Sequence, residues 1–121
     1  MHVLVINAGS ASVKIGVFEN GETVFNKNMD GNDIEDLLAQ IPDILKKEGY
    51  KDFDAVGHRI AHGGASFRRS CLIDDEVVRV IEACVPLAPL HNPPNLAGIR
   101  MAQKEWGCVP QIAVFDTTFH Q

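Results

Sequence analysis

The chain opens on a near-continuous apolar run. Val3-Leu4-Val5-Ile6, rich in β-branched residues, predicts a strand from about His2 to Ile6, buried on both faces and so central in a sheet. Asn7-Ala8-Gly9-Ser10 interrupts the run with small polar residues. From Ser12 to about Phe18 the pattern alternates: Val13, Ile15 and Val17 share one face, and Ser12 and Lys14 share the other. Ser10 joins the polar face if extended geometry reaches back that far. Asn20-Gly21 tolerates positive φ and predicts a hairpin, with a third strand over about Thr23 to Asn28.

The period then changes. Ile34, Leu37, Leu38, Ile41 and Leu45 fall on one helical face, Asn32 and Glu35 have capping-box spacing, and Gly49 supplies a stop. Pro42 predicts a kink, or a break with a second short helix beginning near it. Phe53 to Gly57 reads as a short strand that delivers His58-Arg59 at its end, and the intervening helix allows it to lie parallel to the first strand. Ile60 to Gly64 reads as a loop. Asp74 or Asp75 can cap a helix carrying Val77, Val78 and Ile81. Pro86, Pro89, Pro93 and Pro94 stiffen the next stretch, and Pro93 or Pro94 can open another helix that runs to about Trp106 and stops at Gly107. Gln111 to Phe115 is the last strand. The order is β-β-β-α-β-α-β with an extra helix: an α/β domain over residues 1–121 with a mixed five-stranded sheet. Stopping at His120-Gln121, just past a strand, is the pattern expected of a piece of a longer chain.

Composition narrows the function classes. With 45% apolar and 22% charged residues the chain is ordinary for a globular protein, and a net charge of −5 without a basic cluster sets nucleic-acid binding aside. No segment approaches the roughly 20 apolar residues that span a bilayer, and the opening run is too short for a signal peptide. Cys71, Cys84 and Cys108 are far apart, with no C-x-x-C, which points to free thiols in a cytoplasmic protein.

Candidate chemistry gathers at strand ends. If the strands ending near Ile6, Gly57 and Phe115 are parallel neighbours, then Asn7, Arg59 and Asp116 line one crevice, because ligands of open α/β sheets sit beyond the carboxyl ends of parallel strands. Asn7 offers an amide oxygen to a hydrated metal, Arg59 a planar fork for carboxylate or phosphate, and Asp116 a carboxylate. The turn after the first strand, with Ser10, Ser12 and Lys14, suits a polyanion. An ordinary hairpin with a solvated outer face gives the same pattern there, and Asp-Thr-Thr is also how a chain begins a helix. His58 and His62 are spaced for one helix face, but Gly63-Gly64 disfavours a helix and no suitable acidic or cysteine partner stands near. A zinc site is therefore poorly supported, and His58 reads as packed or hydrogen-bonded. Neither a Walker-A loop nor a Rossmann fingerprint is present.

Four ordered motifs resemble those of acetate kinases: Val3-Leu-Val-Ile-Asn-Ala-Gly-Ser-Ala-Ser-Val-Lys14, Gly57-His-Arg-Ile-Ala-His-Gly-Gly64, Leu87-Ala-Pro-Leu-His-Asn-Pro-Pro-Asn95 and Val114-Phe-Asp-Thr-Thr-Phe-His-Gln121. The resemblance implies a ribonuclease-H-like fold, shared with actin, Hsp70 chaperones and sugar kinases, and places this chain as the N-terminal domain of a two-domain kinase. The implied activity is reversible transfer of the γ-phosphoryl of ATP to acetate or a similar short-chain carboxylate, with Mg²⁺, in an enzyme that is a homodimer at full length. It implies Asn7 at the Mg²⁺ site and Ser10, Ser12 and Lys14 facing the nucleotide phosphates. It further implies Arg59 on the carboxylate or transferred phosphoryl, His91 on the phosphoryl or substrate, Leu90 at the methyl pocket, and Asp116 as the catalytic carboxylate.

A carboxylate nucleophile with pKa roughly 4 to 5 is already ionised at neutral pH. Asp116 is therefore expected to orient Arg59 or metal-bound water rather than to abstract a proton. Ala11 and Val13 depart conservatively from the family's usual Ser and Leu or Ile. Ala61 stands where acetate kinases usually carry Val, leaving room for a longer acyl chain such as propionate. The alternatives are a propionate- or butyrate-type acid kinase of the same superfold, or a non-catalytic module. Without the family's second domain, this stretch alone is expected to be inactive or nearly so.

Overall fold

The computed structural model describes residues 1–60, 71–73, 78 and 92–115. The predicted meander is present as β1 (His2–Ala8), β2 (Ser12–Glu19) and β3 (Glu22–Asp30), each a little longer than the sequence pattern required. Asn20 and Gly21 take φ of 52° and 88°, the left-handed pair that a tight Asn-Gly turn needs. Three further strands follow: β4 (Ala55–Ile60), β5 (Cys71–Leu72) and β6 (Gln111–Phe115). Among the described residues they form one mixed sheet in the order β3-β2-β1-β4-β6-β5. The five expected strands are all there. The sixth, β5, has two residues, too few to leave a hydrophobic period, and pairs antiparallel with β6 at the edge. β1 lies parallel to β4, and β4 parallel to β6, as the crevice reading requires.

Helices α1 (Ile34–Lys47) and α2 (Asn92–Glu105) cover one face of the sheet. That face carries Leu4, Ile6 and Ala8 of β1, Val13, Ile15 and Val17 of β2, Met29 of β3 and Val56 of β4, all buried with Leu38, Ile41, Leu45 and Ala102 of the helices. Ile60, Leu96, Ile99 and Ala113 extend the core beside it.

Three boundary expectations are corrected. First, Asp33 rather than Asn32 caps α1, its carboxylate accepting from the Asp36 N–H at 3.1 Å, so the Asn32–Glu35 box does not form. Second, α1 runs through Pro42 as one helix, so the break with a second short helix does not occur. Leu38, Ile41 and Leu45 are buried on both sides of it, and burial at about 1.5–3 kcal/mol each outweighs the roughly 3 kcal/mol that an interior proline costs. Third, β4 begins at Ala55 and continues to Ile60, so His58 and Arg59 are strand residues rather than residues past its end.

The helix stops follow from local chemistry. The Tyr50 N–H reaches the Leu45 carbonyl at 2.8 Å and the Gly49 N–H reaches that of Lys46 at 3.1 Å, with Gly49 at φ 89°. This is a Schellman closure, and it bears out Gly49 as the stop. α2 begins with both prolines in its first turn and ends at Glu105. At Gly107 a side chain would stand 2.5 Å from the Gln103 carbonyl oxygen, so only glycine fits. Most of the helix expected around Val77 to Ile81 lies outside the described residues.

Candidate functional site

Strand register decides which polar groups meet. Leu4, Ile6 and Ala8 point under the helices, as do His58 and Ile60 of β4, so Asn7 and Arg59 point to the opposite face. Ile6 is level with His58, which sets Asn7 beside Arg59 on neighbouring parallel strands. Across the other edge of β1, Asn7 pairs with Lys14, and Lys14 pairs with Asn28 of β3. One row therefore crosses four strands: Arg59, Asn7, Lys14, Asn28. Arg59 and Lys14 are exposed and Asn7 is half-buried between them. Two cations flanking an amide make an anion-accepting strip on a chain of net charge −5. One step further along β2, Ser12 pairs with Asp30 on the same face.

Above the row is the turn at Gly9–Ala11. Its geometry is fixed by the Gly9 N–H donating to the Ser12 carbonyl at 2.8 Å and the Gly31 N–H donating to that of Ala11 at 3.1 Å. β2 begins at Ser12, so Ser10 lies exposed in the turn rather than in the alternating row. Ala61, Leu90, His91 and Asp116 lie outside the described residues.

Asn28 and Asp30 were missed from sequence because a bulge moves the register. Phe18 pairs with Thr23, but Val17 pairs with Phe25, leaving Val24 without an opposite residue. An unbulged hairpin would set Lys27 against Lys14, two like charges side by side. The bulge sets Asn28 there instead and turns Met29 into the core.

On the helix-covered face, below the row, His58 is buried and its Nε2–H donates to Gln111 Oε1 at 2.8 Å, while Gln111 Nε2 donates to the Trp106 carbonyl at 3.1 Å. Burial lowers the His58 pKa from 6.5 to about 4, with the Gln111 hydrogen bond pulling weakly the other way. The imidazole is neutral at physiological pH and structural, as expected from sequence. Among the described residues no group of three His, Cys, Asp or Glu could hold a metal. A cavity of about 340 Å³ at the far end of the polar face is lined by Met1, Val3, Val5, Phe18, Asn20 and Gly21 and carries no ionisable side chain.

The Acetokinase family model matches residues 19–121. The chain belongs to the acetokinase family. The acetate kinase of Thermotoga maritima is 42% identical over an alignment covering all of this chain and 38% of that protein. In fold, a propionate kinase from Francisella tularensis subsp. tularensis SCHU S4 superposes with TM-score 0.83 at 32% identity, over 98% of this chain and 38% of its own. The Porphyromonas gingivalis acetate kinase gives TM-score 0.83 at 33% identity, again over 98% and 38%. The fold is thus the ribonuclease-H-like, actin-type one expected, and the chain spans about two-fifths of the length of these acetokinases. The alignment to the Thermotoga enzyme runs over 152 residues, so that enzyme carries about 31 residues within the matched part that this 121-residue chain lacks. Any exchange between the two must replace the matched part as a unit.

Proposed function

We propose that this chain is the N-terminal domain of a two-domain cytoplasmic kinase, dimeric at full length, which moves the γ-phosphoryl of ATP reversibly to acetate or propionate. The observation that carries this is the cross-strand row of Arg59, Asn7 and Lys14 beneath a polar turn, in a chain of the acetokinase family. Likeness to both an acetate and a propionate kinase, and Ala61 in place of Val, favour a substrate range that includes propionate.

The residue types fit ATP and Mg²⁺. Lys14 and the hydroxyls of Ser10 and Ser12 supply a cation and donors to phosphate oxygens. Asn7 offers one hard oxygen, which suits a cation that keeps most of its water. When bound, Mg²⁺ neutralises charge on the phosphates. Phosphoryl transfer to an ionised carboxylate needs charge neutralisation and alignment more than proton removal. Arg59 binds and orients the carboxylate or the transferring group by its planar fork. Asp116 orients Arg59, His91 contacts the phosphoryl, and Leu90 walls the acyl pocket.

The test is a chimera in which this chain replaces the matched part of the Thermotoga maritima acetate kinase, assayed by hydroxylamine trapping of acyl phosphate. The expected outcome is acyl phosphate from acetate and propionate. Arg59→Ala is expected to lower kcat/KM about 100-fold, the scale for losing one charge-stabilising donor. A folded chimera that makes no acyl phosphate, or that keeps full activity without Arg59, overturns the proposal.

A further inference from the structure

We propose that Asn95 is a positioning residue that holds the Gly9–Ala11 turn in place from the opposite element of the fold. Asn95 is in the first turn of α2 and is 5% exposed. Its Nδ2 donates to the Ala8 carbonyl at 2.7 Å, across 87 residues of sequence. The register of β1 with β4 runs from Val3–Ala55 to Ile6–His58. Ala8 lies two residues past that pairing, at the last peptide before Gly9, and its carbonyl takes its bond from the α2 side chain. The N–H of that same peptide, on Gly9, donates to the Ser12 carbonyl and starts the turn. Asn95 therefore fixes the point from which the turn departs.

Gly98, one helical turn on, faces β1 and shows how near the two elements lie. A Cβ there would already touch Ile6 Cγ2 at 3.6 Å, Ala8 Cβ at 3.7 Å and Leu38 Cδ2 at 3.9 Å. These are ordinary van der Waals distances, and they put the helix backbone close enough to β1 for a short amide to span the gap. The part of this inference that concerns nucleotide rests on the function proposed above: if the turn receives the ATP phosphates, a turn held by Asn95 is preset for them, and one released from it must be ordered on binding.

Two variants and two readouts test this. Asn95→Leu removes the donor at every pH. Asn95→Asp keeps the shape, repels the carbonyl when ionised, and donates again when its carboxyl is protonated. In the 121-residue chain, amide exchange of Gly9 is expected to quicken at least tenfold in Asn95→Leu, while amides of Leu4 to Ile6 stay as protected as in the parent. In Asn95→Asp the loss is expected to reverse as pH falls. In the chimera, Asn95→Leu is expected to raise the KM for ATP about tenfold and leave the KM for carboxylate within twofold. Unchanged Gly9 exchange in both variants overturns the inference, as does equal loss of protection throughout β1, which would mark a merely structural asparagine. An inactive parent chimera would sink the proposed function while the exchange experiment still decides the role of Asn95.

Discussion

His58 and Arg59 are adjacent in sequence and opposite in chemistry, because successive strand residues face opposite sides of the sheet. Arg59 reaches the polar face. His58 is committed to the core, where burial holds its pKa near 4 against 6.5 for the free group. A histidine whose folded pKa is depressed takes its proton mainly in the unfolded state, so stability is full above the unfolded value and falls as pH drops toward the folded one. Linkage puts the loss at about 2 kcal/mol between about pH 7.5 and about pH 5. Urea unfolding at the two pH values checks this, and His58→Gln should flatten the difference. An equal slope in that variant would assign the acid sensitivity to other groups. The sequence made His58 legible as structural through its place in an apolar strand. Its partner Gln111 was not legible, since nothing local ties residues 53 positions apart.

At the level of elements, Val24 is the residue to remove. It is the unopposed position of the β2–β3 bulge and is 41% exposed. Deleting it should remove the bulge and leave the other pairs as they are, with Phe25 opposite Val17, Asn28 opposite Lys14 and Met29 in the core. The denaturation midpoint should then move by the equivalent of no more than about 1 kcal/mol, and a larger drop would show that the bulge itself is needed to keep Met29 buried. Val24→Thr, which keeps the residue count, should cost less than about 0.5 kcal/mol. Strand positions and the Asn20-Gly21 turn were readable because hydrophobic period and positive-φ residues are local signals. The bulge was not, because its cause is the burial of Met29 at a distance. Continuity through Pro42 was hidden for the same reason: the local rule against interior proline is overruled by side chains packed from another layer.

For the whole molecule, the approach of Asn7 to Arg59 was legible in the sequence on the condition that their strands lie parallel, whereas the pairing of Asn7 with Lys14 follows from the hairpin register. What could not be read was the link between layers, the Asn95 bond to Ala8, which depends on how closely a helix settles on the sheet. We expect the 121-residue chain alone to form no acyl phosphate from ATP and acetate above background, because the proposed second domain supplies the other wall of the cleft. Hydroxylamine trapping on the isolated chain checks this, and robust turnover would show that one wall suffices.

The sheet also has an open side. β3 is nine residues long and lies at the end of the strand order, so among the described residues one row of its backbone donors and acceptors has no strand beyond it. Such a border can recruit another chain's border and start aggregation. The bulge at Val24 and the exposed Glu22, Lys27 and Asp30 break the flatness and neutrality that a recruiting edge requires. The same bulge that sets Asn28 rather than Lys27 beside Lys14 thus also works against copies of the chain zipping together.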